Sequence, residues 1–161
     1  MTPAIFGISG LELTADERAF FKDADPAGYI LFGRNCDSKD QLRKLTDDLR
    51  EIHGRERLIV SIDQEGGRVA RMKPPVWQRY PAGEAFAELW NVAPASAIEA
   101  ARANAEAMGR ELAEMGISVD YHAPFDVRRP ETDDVIGGTW IASDGQINPI
   151  DVTQALAHGA R

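Results

Sequence analysis

Four short apolar runs, at 4–8, 29–32, 58–62 and 117–121, are separated by stretches too long for hairpins, and those stretches carry helical signals. This alternation constrains the fold more than any other feature, because consecutive strands joined through a helix run parallel with right-handed crossovers. The helix starts are legible as capping-box spacings: Thr14 with Glu17, Ser38 with Gln41, and Ser96 with Glu99. The first helix runs to about Lys22. In the second, Leu42, Leu45, Leu49 and Ile52 recur at helical spacing before Gly54, a good C-terminal stop. His53, in its last turn, reads as a structural residue whose partial positive charge suits the helix dipole. In the third, Ile98, Ala101, Ala105, Met108, Leu112 and Met115 mark one face ahead of Gly116, with the methionines as core filler. Asn148-Pro149 opens a last helix carrying Val152, Ala155 and Leu156 up to Gly159. Four such units make half of an eight-fold (β/α) barrel, and no change in composition splits the chain.

The run at 58–62 has the pattern of a strand buried on both faces, and its character changes abruptly at its carboxyl end to Asp63, Gln64, Glu65, Gly66, Gly67 and Arg68. Polar residues clustered beyond a buried parallel strand are where α/β folds place their chemistry. No long helix is evident between 63 and 94, and an unstructured loop of such length inside a compact domain points to function. Lys73-Pro74-Pro75 and Tyr80-Pro81 stiffen its path. Trp77, Tyr80 and Phe86 read as packing for the loop rather than as a stacking surface for a sugar ring.

The chain has 161 residues, 43% of them hydrophobic, which supports one domain with a real core. A formal charge of −8 disfavours nucleic acid as a partner and fits a neutral one such as a sugar. The lone Cys36 forms no internal disulfide and suits a reducing cytoplasm. No apolar run is long enough for a membrane span, and the N-terminus lacks the pattern of a signal peptide. No cofactor is implied. His122 has no metal-ligand spacing with His53 or His158, so no metal site is expected.

The stretch IDQEGGRVAR at 62–71 resembles the signature of glycoside hydrolase family 3, and specifically its bacterial β-N-acetylglucosaminidases of cell-wall recycling. Four further blocks agree in order: GYILFGRN at 28–35, SKDQLRKLTDDL at 38–49, YPAGEAFA at 80–87 and ELAEMGISVDYHAPFDV at 111–127. The likeness runs from about residue 5 to 137 and thins over 138–161, a divergent tail. It implies a (β/α)8 TIM-type barrel, here its first four βα units. It also implies release of terminal β-linked N-acetylglucosamine from peptidoglycan fragments, without metal or organic cofactor.

Asp63, at the end of the third strand, would be aimed into the mouth of a barrel, where a carboxylate can accept hydrogen bonds from sugar hydroxyls. The planar fork of Arg71 could hold a further pair or orient Asp63. The resemblance assigns terminal-sugar binding to both positions. Arg68 and Glu65 read as a structural pair behind the Gly66-Gly67 turn, whose glycines could make a small anion nest. Arg34 and Asn35 end the second strand, and His122 and Asp126 follow the fourth, so these rim residues read as support beneath the site.

Retaining hydrolysis needs a nucleophile and an acid/base group on opposite sides of the glycosidic bond. The resemblance places the first on a late barrel strand and the second in a Lys-His-Phe-Pro-Gly-His-Gly-like block after the fifth. Neither falls within this sequence, so the 161 residues alone are expected to be inactive. After Val135-Ile136-Gly137, Gly138 and Thr139 stand where the family has an acidic residue and a sugar-reaching arginine. A truncated gene, a frameshifted tail or a decayed copy would each give such a pattern. Two other readings are a family 3 β-glucosidase fragment and a non-catalytic, sugar-binding half-barrel. In any of these cases open barrel edges would favour self-association.

Overall fold

A computed structural model describes residues 1–121. The rim residues His122 and Asp126, the helix expected over 148–159 and the divergent tail lie outside the described residues. The elements are β1 (Thr2–Gly7), α1 (Ala15–Ala24), β2 (Pro26–Leu31), α2 (Lys39–His53), β3 (Ile59–Ile62), α3 (Gly83–Val92), α4 (Pro94–Glu114) and β4 (Val119–Asp120), with a 3-10 turn at Gly33–Asn35. All four strands are parallel and lie in chain order, β1-β2-β3-β4. The alternation of strand and helix in the sequence dictates this arrangement, and it is that of a partial TIM-type barrel.

The register separates two faces of the sheet. Phe6, Tyr29 and Val60 are partners on one face, and Ile5, Gly28 and Ile59 on the other. The first face carries the core: Tyr29, Leu31, Val60 and Ile62 are fully buried with Phe21 of α1 and Leu42, Leu45 and Leu49 of α2. The second face is partly open among the described residues, with Ile5 41%, Ile59 38% and Val119 37% exposed. The run at 58–62 is thus exposed only at Ile59, while Ser61 on the same face is fully buried. Its inner face is the one a barrel turns toward its own axis, where layers of side chains from all eight strands would fill it.

The helix ends follow the sequence closely in α1 and α2. The Thr14 side chain accepts from Glu17 N while Glu17 returns to Thr14 N, a complete capping box. Ser38 caps Gln41 N, but the Gln41 side chain accepts from Asp37 N instead of closing a box. Gly54 ends α2 with φ 60°. Two expectations fail further on. The segment 63–94 contains α3, which has no side-chain cap and no buried residue. Helix α4 starts at Pro94, so Ser96 lies inside it rather than capping it. Ala97, Met108 and Leu112 are its buried residues, while Ile98 is 54% exposed.

At the opposite end of the strands from the polar loop, His53 keeps a structural role for a different reason from the helix dipole. Its side chain is 3% exposed. Nε2 lies 2.7 Å from the Tyr29 hydroxyl and Nδ1 3.3 Å from Asp25 Oδ1. Burial pushes its pKa below the usual 6.5, with the Arg55 charge adding to the effect and Asp25 opposing it. A neutral ring that accepts from Tyr29 and donates to Asp25 satisfies both nitrogens. No helix among the described residues is long and apolar enough to cross a membrane.

Candidate functional site

Asp63 emerges directly from β3 on the inward register of Ile59 and Ser61. Beyond it the chain forms a tightly tied loop. Gly66 and Val69 form an antiparallel bridge, with Gly66 N donating to Val69 O and Val69 N to Gly66 O. Gly67 N donates to Tyr80 O at 3.0 Å, so the turn is held against the 80–82 segment. Both glycines have positive φ, 88° and 57°. A Cβ on Gly66 would lie 2.2 Å from Pro81 O, and one on Gly67 2.6 Å from the Ala82 Cβ. Left-handed backbone and close approach together admit only glycine here. Their amides are consumed in closing the loop, which corrects the expectation of an anion nest.

Gln64 organises the loop. It is 1% exposed. Its Oε1 accepts from Arg71 N at 2.8 Å and Met72 N at 3.1 Å, and its Nε2 donates to Met72 O at 3.0 Å. Its own amide donates to Asp120 Oδ1 on β4 at 2.9 Å. One buried amide thus makes the chain return on itself, and the result is that Arg71 faces Asp63. Arg71 Nη2 donates to Asp63 Oδ2 at 2.9 Å, in a pair whose side chains are 31% and 27% exposed. The Arg71 Nε is buried with no partner among the described residues, so the guanidinium fork is only partly used.

The neighbouring rim is built from the β2 end. Asn35 is fully buried: its Nδ2 donates to Ile8 O and Gly10 O, and its Oδ1 accepts from Phe32 N. It ties the loop after β1 to the turn after β2. Arg34 donates from Nε to Ile8 O at 2.8 Å and stacks over the Phe32 ring at 4.5 Å. Gly7 makes room for it, since a Cβ there would lie 3.3 Å from Arg34 Nη2. Burial pushes the Cys36 thiol up to about 12, and the charge of Arg71 pulls the other way. A thiol held protonated is no nucleophile at neutral pH.

Sequence reasoning paired Asp63 with Arg71, and the structure brings the two together, but that reasoning missed Gln64 and misread two others. Glu65 and Arg68 form no ion pair among the described residues; Arg68 lines a cavity with Lys73 and Arg79 instead. Trp77 and Tyr80 pack into the core, 5% and 8% exposed. Among the described residues no group of three His, Cys, Asp or Glu is placed to hold a metal ion.

A parallel sheet in chain order, with a carboxylate–guanidinium pair at the carboxyl end of its third strand, defines the first units of a (β/α)-barrel. The chain belongs to glycosyl hydrolase family 3, whose N-terminal domain matches residues 6–150. A β-hexosaminidase from Xanthomonas oryzae pv. oryzae is 32% identical over 143 residues, which cover 89% of this chain and 42% of that protein. NagZ from Neisseria gonorrhoeae, solved in complex with zinc ion, superposes with a TM-score of 0.73 at 30% identity over 78% of this chain and 38% of its own. NagZ from the same organism, solved with N-trifluoroacetyl-D-glucosamine, gives 0.67 at 30% identity over 72% and 34%. This chain spans about two fifths of the length of the curated relatives it matches.

Proposed function

We propose that residues 1–161 supply the sugar-binding first half of a β-N-acetylhexosaminidase that releases terminal N-acetylglucosamine from peptidoglycan fragments in the cytoplasm. The observation that carries this reading is the Asp63–Arg71 pair, held by Gln64 at the mouth end of β3. A carboxylate and a partly used guanidinium side by side offer acceptors and donors to adjacent hydroxyls of one ring. A solved relative with an N-acylated glucosamine bound supports the substrate class. Glucose shares those hydroxyls, so the β-glucosidase alternative is disfavoured by the relatives' names and not by this pair.

On the same reading the nucleophile and the acid/base group come from later barrel strands. Purified residues 1–161, given a chromogenic β-N-acetylglucosaminide, are then expected to show turnover indistinguishable from an Asp63→Ala control. Contacts to hydroxyls remote from the anomeric carbon hold ground state and transition state about equally and do little for the chemical step. Asp63-dependent hydrolysis by these residues alone would mean that the catalytic groups lie among them.

The partly open inner face bears on state in solution. Ile5, Ile59 and Val119 are each more than a third exposed, and among the described residues β1 pairs only with β2 and β4 only with β3. A polypeptide of these 161 residues is expected to self-associate, with a two-fold dimer closing a pseudo-barrel as one form. Light scattering at micromolar concentration measures this, and a monodisperse monomer is the contrary result.

A further inference from the structure

We propose that the cavity between the Gly67–Met72 and Lys73–Tyr80 parts of the β3–α3 loop is an oxyanion site, taking a carboxylate or a phosphate group. It is an open cavity of about 450 Å³ to which Arg68, Lys73 and Arg79 all contribute, and no described residue lining it is acidic. None of these three side chains has a hydrogen bond or ion pair among the described residues. Most other described cations do: Arg18, Lys39, Arg43, Lys44, Arg55, Arg71 and Arg110 are ion-paired, and Arg34 and Arg50 bond backbone carbonyls. Lys22, Arg57 and Arg102 are the remaining exceptions. Half of the unpartnered cations thus line one concavity, in a protein of formal charge −8.

Chance surface charge in an acidic chain would be expected to find carboxylate neighbours, as the ion-paired residues have. Three like charges gathered in a cleft repel one another and focus a positive potential inside it. One carboxylate stands close by: Glu111 Oε1 accepts from Gln78 N at 3.4 Å, and it is itself offset by Lys39 Nζ at 3.7 Å. The walls are fixed at both ends: Met72 N is tied to Gln64, Gly67 N to Tyr80 O, and Trp77 N to Lys73 O. Two guanidinium forks and an ammonium on such a frame match the oxygens of a carboxylate or phosphate group. The cavity is distinct from the Asp63–Arg71 pair, which does not line it, yet Ala70 and Met72 on either side of Arg71 do. An anionic substituent of a sugar held at Asp63, or a free anion, would present the same chemistry.

The test uses the 161-residue chain with inorganic phosphate, followed by calorimetry. Saturable binding is expected. Lys73→Gln and Arg79→Ala should each weaken it about tenfold, as loss of one charge-assisted hydrogen bond does. The double variant should abolish it, while Lys22→Gln with Arg57→Ala, which removes two charges elsewhere, should leave it unchanged. All five side chains changed in these tests, Asp63 included, belong to exposed or half-buried residues, so the variants keep the core. Absence of saturable binding overturns the proposal, and so does equal weakening in the control variant, which would show net charge alone at work. A second arm compares D-glucuronate with acetate. A gain for glucuronate that Asp63→Ala removes identifies the anion as a substituent of the bound sugar. Phosphate as the tighter ligand, with Asp63→Ala silent, identifies a free anion; either supports the site. The phosphate measurement does not involve Asp63, so it can succeed if the sugar reading fails, and the reverse.

Discussion

In a protein completed by the later barrel strands, Asp63→Ala is expected to lower kcat/KM for a β-N-acetylglucosaminide by about one to two powers of ten, mostly through KM. A hydroxyl site that loses one charged partner loses about 1.5–3 kcal/mol, and contacts equal in ground and transition states appear in KM with kcat held. Arg71→Ala should fall in the same range. The two residues bond each other at 2.9 Å, so each single variant also strands its partner. The double variant should therefore lose less than the sum of the single losses. Asp63→Asn keeps the shape and one acceptor oxygen, and it should lie between wild type and Asp63→Ala. Steady-state kinetics on wild type and these variants decide the matter. Unchanged kcat/KM in Asp63→Ala would remove this pair from the substrate.

The second large effect belongs to Gln64, which touches no substrate on this reading. Gln64→Leu fills the same buried space but leaves Arg71 N, Met72 N and Met72 O without their partner. Stranded buried backbone groups of this kind should destabilise the chain by on the order of 2–4 kcal/mol. The loss would be read as a lower midpoint in chemical denaturation, together with faster hydrogen exchange at the Met72 amide. Gln64→Glu is an informative second variant. Its carboxylate can still accept from both amides, but it loses the donor to Met72 O and buries a charge. If Gln64→Leu unfolds at the wild-type midpoint and Met72 stays protected, the loop does not depend on this side chain.

Much of this arrangement was legible in the chain. The four strands announced themselves as short apolar runs alternating with helical signals, and α1 and α2 because their caps are made by side chains. Helix α3 escaped for the opposite reason. Ala82 caps nothing, and no residue of the helix is buried, so neither of the usual signals is present. Its run of Ala, Glu and Leu was the remaining clue, a matter of propensity alone. In α4 the spacing of Ser96 and Glu99 competed with Pro94, and proline at the first helical position was the true start. The apolar stripe was consequently anchored on Ile98 instead of Ala97.

The site was partly legible. Asp63 and Arg71 stood out as charges beyond a strand, and the likeness to a known family reinforced them. Gln64 had a signal that went unused. Val60, Ile62 and Gln64 fall on alternate positions, so the amide continues the helix-facing, buried side of β3. A buried amide must find partners, and the returning loop supplies them through Arg71 N, Met72 N and Met72 O. The unpaired state of Arg68, by contrast, was hidden, because Glu65 three positions earlier is the partner that spacing alone suggests.

Strand order that equals chain order also bears on how the protein is made. As the polypeptide leaves the ribosome, β2 finds β1 already in place and β3 finds β2, so each of these pairings forms with the strand just made. The step from β3 to β4 is different, because the polar loop and two helices intervene. The entropy of closing a loop grows only slowly with its length, yet this closure is the longest of the three and must come last. Asp120, which arrives with β4, is what Gln64 N bonds. The residues that aim Arg71 at Asp63 are therefore fully secured only when synthesis has passed the fourth strand. A nascent chain acquires its scaffold before it acquires its grip.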